Sequence, residues 1–179
     1  RACLESALVT VVSPEDGKCF HQLYGLDMKK VVDVPSCADL DTVTFTPPNE
    51  RLEKKKRLGL DQVQIALFIG SWHQPNIEAA EIIFQLAKQL PRMKFFVLGS
   101  VGLYFRDKAF PGNVGMLGVV DDEEKNVVLG IADVALNPML SGSGINLKVL
   151  DYMAAGIPVI TTKFGIRGLN IPDHLVRIC

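Results

Sequence analysis

The stretch that most constrains the fold lies at residues 137–162 and reads NPMLSGSGINLKVLDYMAAGIPVITT. It follows a short apolar run at residues 132–136, which is typical of a buried strand. Its serines and glycines at residues 141–144 favour turn conformations and predict a loop. Residues 145–155 then show helical spacing, and the predicted helix ends at Gly156, before β-branched residues that favour a strand. The stretch therefore predicts a strand, a glycine loop, a helix, a tight turn and a second strand.

The predicted helix carries a pair of charges near its start. Leu147, Leu150 and Ala154 are spaced to form one buried stripe, and Lys148 and Asp151, three positions apart, share one helical face. Free amides at a helix N-terminus favour an anion. Lys148 lies where a phosphate would bind, and Asp151 lies one turn further on, where a carboxylate can accept hydrogen bonds from ribose. The spacing fits a nucleotide site and a solvated ion pair on a surface helix equally well.

Strands and helices alternate over residues 64–179, which predicts a doubly wound parallel sheet of the α/β class. The predicted elements, in order, are a strand at 64–70, a helix at 75–90, a strand at 93–98, a strand and loop at 113–120, a helix at 121–132 and a last strand at 175–179. The buried face of the predicted helix at residues 75–90 consists of Ile77, Ala80, Ile83, Phe84 and Ala87.

Ligands of such sheets bind beyond the carboxyl ends of the strands. Four predicted strand ends meet there: Gly70-Ser71, Gly99-Ser100, Gly118-Val119 and the glycine loop. This convergence supports a binding crevice more strongly than the loop alone. The sequence has no Walker A lysine motif, and Gly142-x-Gly144 lacks the third glycine of a dinucleotide fingerprint.

The first part of the chain predicts a strand at residues 7–12, a helix from Pro14 to about Tyr24 with Ser13 as N-cap, and a strand at residues 30–34. A charged helix is predicted at residues 50–58. Its lysines fit a phosphate or membrane patch, but interleaved acidic and leucine residues favour a solvated face.

Composition excludes several classes of protein. The 179 residues are 48% hydrophobic with a net charge of −1, so charge implies no nucleic-acid partner. No apolar run approaches the roughly 20 residues that span a bilayer. The four cysteines are scattered without metal-ligand spacing and predict reduced thiols in a cytoplasmic protein. The chain begins with Arg1 instead of Met, which favours a piece of a longer protein.

Residues 137–162 closely resemble the signature of retaining nucleotide-sugar glycosyltransferases of the GT-B fold, in the branch written P-x-x-x-G-x-G-x-x-x-K-x-L-E-x-M-A-x-G-x-P-V-V-x-T. The resemblance covers nearly the whole chain and implies the Rossmann-like, donor-binding half of that fold. It implies that residues 1–34 end the N-terminal domain and that residues 35–179 form a truncated C-terminal nucleotide-sugar-binding domain. The implied reaction transfers a sugar from a nucleoside diphosphate sugar to an acceptor, and this piece alone is expected to bind donor without turnover.

The resemblance also implies roles for single residues. Asp151, where glutamate is usual, would bind the donor ribose, and Val119 and Val120 would hold the base. Amides of the glycine loop would face the diphosphate or sugar, and the implied set around the donor is Gly70, Ser71, Gly99, Gly142, Ser143, Gly144, Ile145 and Asn146.

The chain departs from the family pattern at three places. Ser143 replaces an acidic residue near the donor sugar, and Ser71 and the Pro75-Asn76 pair replace an arginine and a lysine on the diphosphate. We hypothesise that Lys148 partly replaces these cations and assists departure of the diphosphate.

Other side chains have two interpretations each. His73 and Arg167 fit a phosphate contact or plain exposure, and Trp72 fits stacking on a ligand or covering of the sheet edge. The departures also allow a catalytically degenerate nucleotide-sugar-binding or scaffolding domain, and a third alternative is a sugar-nucleotide epimerase. We expect no cofactor or metal besides the donor substrate. The expected partners are the donor, a glycan, lipid or protein acceptor, and the N-terminal half of the same enzyme, with no nucleic acid and no membrane span.

Overall fold

The computed structural model describes residues 2–179. Its strands are β1 (Val9–Val11), β2 (Val31–Asp33), β3 (Gln64–Ile69), β4 (Met93–Leu98), β5 (Val114–Gly118), β6 (Val134–Asn137), β7 (Val159–Thr161) and β8 (Val176–Ile178). Its α-helices are α1 (Ala2–Glu5), α2 (Pro14–Tyr24), α3 (Pro48–Arg57), α4 (Gln74–Gln89), α5 (Asp122–Ile131) and α6 (Leu147–Ala154). Short 3-10 helices lie at Met28–Lys30, Ser100–Phe105, Phe164–Ile166 and Asp173–Leu175.

The main sheet has six strands in the order β5-β4-β3-β6-β7-β8, and every neighbouring pair is parallel. β3 lies inside the sheet and pairs with β4 from Gln64 opposite Met93 to Ile69 opposite Leu98. The order runs outward in both directions from β3, so the predicted doubly wound α/β fold is confirmed.

Both faces of the sheet are covered, which explains why β3 is apolar at successive positions. Ala66 and Phe68 belong to the core on the α4 side, whereas Leu67 belongs to the core under α6. The predicted buried face of α4 is confirmed, because all five of its residues are buried: Ile77, Ala80, Ile83, Phe84 and Ala87.

The predicted buried stripe of α6 is wrong. Leu147 is 52% exposed, and Leu150 and Ala154 are only partly buried. The helix instead turns Val149 and Tyr152 into the core. The physical reason is that the Tyr152 hydroxyl accepts a hydrogen bond from the Ile69 amide (2.7 Å), which satisfies a polar group that burial would otherwise leave unpaired.

The predicted solvated face of α3 is only partly correct. Lys54, Lys56 and Arg57 reach the surface or its edge, but Arg51 and Lys55 are buried. The Lys55 ammonium is 2.6 Å from an Asp133 carboxylate oxygen. These two cations tie α3 to the start of β6 and the end of α6, a role that the charge pattern of the helix alone does not reveal.

The N-terminal part forms its own small parallel pair, β1 with β2, packed against α2. The bounds of α2 agree with the prediction: the Ser13 hydroxyl accepts from the Asp16 amide (3.2 Å), and Gly25 ends the helix with φ 68°. The division between residues 1–34 and 35–179 stays a prediction. Of the helices in the described residues, none combines the length and apolar character needed to cross a bilayer.

Candidate functional site

The carboxyl ends of β3, β4 and β5 meet through backbone hydrogen bonds. The Gly70 amide donates to the Leu98 carbonyl (2.9 Å), and the Gly99 amide donates to the Gly118 carbonyl (2.6 Å). Gly99 has φ 104°, and a side chain there would collide with the Gly70 carbonyl oxygen. Glycine is therefore required at this position, and the strand ends form the common edge that the sequence predicts.

A cavity of about 300 Å³ opens beside this edge, between the start of α4, the glycine loop and the start of α6. Six of the predicted site residues line it: Ser71, Gly142, Ser143, Ile145, Asn146 and Lys148. The other six predicted residues lie outside its lining: Gly70, Gly99, Gly144, Val119, Val120 and Asp151.

A larger cavity of about 420 Å³ lies elsewhere, between α4 and strands β6 and β7. Its lining is apolar side chains with two threonines and Cys179, and it contains no charged side chain among the described residues. Its chemistry does not suit a phosphate, so the smaller polar cavity is the candidate site.

The charged centre of the candidate site is Lys148. Its ammonium donates to the Asn76 side-chain oxygen (2.7 Å), lies 3.9 Å from the Met139 sulfur and stands 4.4 Å from the centre of the Phe68 ring. Within the part of the chain that the structure describes, no carboxylate forms a salt bridge with it. Burial lowers the pKa of Lys148 to about 7, because an ammonium without a counter-ion is poorly solvated there.

The glycine loop leads into α6 without a side-chain cap. Asn146 occupies the N-cap position, but its side-chain amide donates to the Gly165 carbonyl (3.0 Å) instead of interacting with the first turn. The other end of the loop is held by Ser141, whose hydroxyl donates to Glu78 (2.8 Å). The Val149 amide of the first turn donates to the Asn146 carbonyl (3.0 Å), so the Leu147 and Lys148 amides are the ones available to an anion in the cavity.

Asp151 does not pair with Lys148. Its carboxylate Oδ2 accepts from the Lys125 ammonium of α5 at 2.7 Å, and both side chains are about one-quarter exposed. The alternative of an ion pair between the two α6 residues is thus wrong. Its proposed role at the ribose stays a prediction.

Arg167, His73 and Trp72 lie around the mouth of the site. Arg167 lines the cavity, with its guanidinium stacked 3.8 Å from the centre of the Phe164 ring, and His73 also lines it. Trp72 is 58% exposed, and its backbone amide donates to the Ser100 hydroxyl (2.8 Å).

Two polar partners in the site were missed by the sequence reasoning. The sequence indicates only that Asn76 stands where the resembled family has a cation, and it gives no signal at Lys125. Nothing local reveals Lys125, because it lies 26 positions before Asp151 and meets it only through the packing of α5 and α6. Among the described residues there is no cluster of three or more histidine, cysteine or acidic side chains placed to hold a metal ion.

A parallel sheet wound in both directions, with a polar cavity at the carboxyl ends of its strands, is the architecture of nucleotide-binding α/β domains. The family model described as glycosyl transferases group 1 matches residues 63–174. The chain therefore belongs to the glycosyl transferases group 1 family.

The chain is also similar to several individual proteins. A phosphatidyl-myo-inositol mannosyltransferase of Mycolicibacterium smegmatis is 25% identical over 137 residues, which is 73% of this chain and 34% of that protein. Sucrose-phosphate synthase from Thermosynechococcus elongatus superposes with a TM-score of 0.73 at 19% identity, over 98% of this chain and 46% of that one. HepE of Anabaena, solved in complex with UDP-glucose, gives a TM-score of 0.68 at 15% identity, over 90% of this chain and 46% of that one.

The chain spans about 34% of the curated relative and about 46% of these solved structures. The solved structures establish the fold, and the main sheet is one half of a GT-B fold.

Proposed function

We propose that this chain is the donor-binding part of a glycosyltransferase, which binds a nucleoside diphosphate sugar for transfer of the sugar to an acceptor. The observation that carries the proposal is Lys148. Its ammonium lies in the cavity beside the glycine loop with a neutral amide as its hydrogen-bond partner. A diphosphate would supply the missing negative charge.

The chemistry of sugar transfer needs positive potential where the diphosphate leaves. Lys148 provides a point charge, and the backbone amides of Leu147 and Lys148, unpaired among the described residues, provide fixed dipoles beside it. They would stabilise the departing nucleoside diphosphate more than the bound donor, since negative charge on the leaving oxygen grows during bond cleavage.

Asp151 is proposed to bind the ribose. Lys125 occupies its Oδ2 atom, and Oδ1 has no hydrogen-bond partner among the described residues. Oδ1 can therefore accept from a ribose hydroxyl while Lys125 holds the carboxylate in place.

Calorimetric titration with UDP, GDP and ADP, repeated on Asp151→Ala, tests the proposal. We expect one nucleotide to bind and the substitution to weaken that binding by about ten- to hundredfold, the value of a lost hydrogen bond to a charged group. Absence of binding by all three nucleotides would contradict the proposed donor site. An unchanged affinity in Asp151→Ala would contradict the ribose role alone.

A second candidate is a catalytically degenerate domain that binds nucleotide sugars without transferring them. Ser71 and Ser143 favour it, because each stands where the resembled family has a charged residue. The two candidates differ in turnover: release of nucleoside diphosphate from a bound nucleotide sugar by the complete protein supports the transferase, whereas binding without release supports the degenerate domain.

A further inference from the structure

The partner of Lys148 differs in charge from the partners of two other partly buried or buried lysines. Lys55 pairs with Asp133 at 2.6 Å, and Lys125 pairs with Asp151 at 2.7 Å. Each of those ion pairs is neutral overall. Lys148 makes an equally short contact, 2.7 Å, but with the amide oxygen of Asn76. Its positive charge is therefore solvated by one dipole and left uncancelled.

Asn76 is itself held in one orientation. It lies in the first turn of α4, is 8% exposed, and its Nδ2 donates both to the Ser71 carbonyl (3.0 Å) and to the Ser71 hydroxyl (3.2 Å). Because both donors of the amide are directed to Ser71, its oxygen must point the other way, toward Lys148. Ser71, just after β3, thus fixes the orientation of the Asn76 amide that accepts from the Lys148 ammonium.

Loss of the hydrogen bond to Asn76 would favour the neutral form of the Lys148 amine. The rest of its surroundings are the Phe68 ring and the Met139 sulfur, which solvate an ammonium weakly. A buried amine without an oxygen acceptor favours its neutral form. A neutral amine cannot offer a charge to a diphosphate.

We propose that Asn76 is a positioning residue of the donor site, whose amide oxygen holds the Lys148 ammonium in the cavity and, being neutral, leaves its charge available to an incoming anion. The effect on ligand binding rests on the proposed function, and the effect on Lys148 itself does not. Asparagine suits this role, since a carboxylate at the same place would cancel the charge of the ammonium and would lose the Nδ2 donor to the Ser71 carbonyl.

Other ionisable side chains lie near Lys148, and among the described residues none of them forms a hydrogen bond with the Asn76 side chain. His73 and Arg167 line the same cavity, Glu78 is engaged by Ser141, and Asp151 is engaged by Lys125. A test of Asn76 must therefore follow Lys148 directly as well as the ligand.

The experiment compares Asn76→Asp and Asn76→Ala with the unaltered chain, and uses Gln85→Ala, an exposed position of the same helix, as the control. The pH titration of the Lys148 side chain is followed by carbon-detected NMR without ligand, with the signal assigned by its absence in Lys148→Met. Binding of UDP-glucose, GDP-mannose and ADP-glucose is measured at pH 6.5 and 8.5 by calorimetry.

We expect opposite effects on titration and a common effect on binding. Asn76→Asp raises the pKa of Lys148 because it adds a negative charge, and Asn76→Ala lowers it because it removes the acceptor. Both weaken nucleotide-sugar binding by about tenfold or more at pH 6.5, while Gln85→Ala leaves both quantities unchanged.

Unchanged titration of Lys148 in both variants would overturn the proposal, and so would unweakened binding in Asn76→Asp. Asn76→Asp keeps the size of the side chain, so it decides the question even where Asn76→Ala does not fold. Shifted titration in a chain that binds none of the three nucleotide sugars would support the positioning of Lys148 and refute the proposed donor site.

Discussion

At the scale of a single residue, the buried charge of Lys148 lowers the free energy of unfolding. The ordinary pKa of a lysine is 10.5, and burial lowers that of Lys148 to about 7. Between these two values the unfolded chain holds the proton and the folded chain releases it, so this residue makes the free energy of unfolding rise as pH increases from about 7 to 10.5. Below pH 7 the folded chain carries the full cost of the buried charge.

The first prediction follows from this cost. Lys148→Met should raise the free energy of unfolding at pH 7 by about 1–3 kcal/mol, as replacing buried charge with an apolar side chain of similar volume does. It should also remove much of the rise in stability between pH 7 and 9. Urea unfolding at both pH values measures this, with the exposed Lys88→Met as control. Equal pH dependence in Lys148→Met and the unaltered chain would refute it.

Residue identities in the site were only partly predictable from the sequence. The position of Lys148 at the start of a helix, after a glycine loop, is a local pattern, and the structure places Lys148 in the lining of the candidate cavity. The partners of Lys148 and Asp151 lie 72 and 26 positions away, and they depend on how α4 and α5 pack against α6. No local pattern encodes such contacts.

At the scale of elements, α3 is fixed to the end of α6 by one side chain. The Arg51 Nη2 atom donates to the carbonyls of Thr46 (3.1 Å), Ala155 (3.1 Å) and Gly156 (3.3 Å). Desolvation lowers the pKa of Arg51, while nearby Asp133 opposes that shift. Arg51 thus donates to the Gly156 carbonyl after α6 and to the Thr46 carbonyl before α3, and it shares the Ala155 carbonyl with the Thr46 amide (3.3 Å).

The second prediction is that Arg51→Met lowers the free energy of unfolding by about 2–4 kcal/mol, because it leaves the Thr46 and Gly156 carbonyls without this donor, while the Ala155 carbonyl keeps the Thr46 amide. Arg57→Met, an exposed position of the same helix, should change it by less than about 0.5 kcal/mol. Chemical denaturation of both variants is the measurement. Similar values for the two would show that Arg51 does not anchor the helix.

The third prediction concerns the contact between two strand ends. A methyl group at position 99 would collide with the Gly70 carbonyl oxygen, and φ 104° disfavours any side chain there. Gly99→Ala should therefore cost at least about 2 kcal/mol of folding free energy. Gly112 has open space around its Cα and no positive φ, so Gly112→Ala should be nearly neutral. A neutral Gly99→Ala would mean that the strand ends separate easily.

Elements were predicted best where their ends carry local signals. Ser13, Pro14 and Gly25 bound α2 as expected, and the apolar spacing of α4 gave its buried face. The leucine spacing of α6 predicts the wrong buried face. The face that is buried carries Tyr152, whose burial depends on the Ile69 amide in a distant strand. The burial of Lys55 in α3 similarly depends on Asp133, which is 78 positions away.

At the scale of the whole molecule, a ligand that binds only the folded chain raises its melting temperature according to its concentration relative to Kd. The fourth prediction is that the nucleotide sugar bound in calorimetry raises Tm by about 5–10 °C at one hundred times its Kd and pH 6.5. At pH 8.5 the rise should fall by about half at the same concentration. Lys148, charged below its pKa of about 7, is mostly neutral there and has to take up a proton to meet the diphosphate.

Each Tm rise is taken against the same chain without ligand at the same pH, so the pH dependence of folding itself cancels. The phosphates of a nucleotide sugar keep a constant charge over this range, and His73, whose imidazole also lines the cavity, serves as the comparison residue. His73→Ala should retain the difference between the two pH values, whereas Lys148→Met should abolish the ligand-dependent rise at both. Loss of the difference in His73→Ala would assign the pH dependence to the histidine and remove the main electrostatic support for Lys148 as the diphosphate contact.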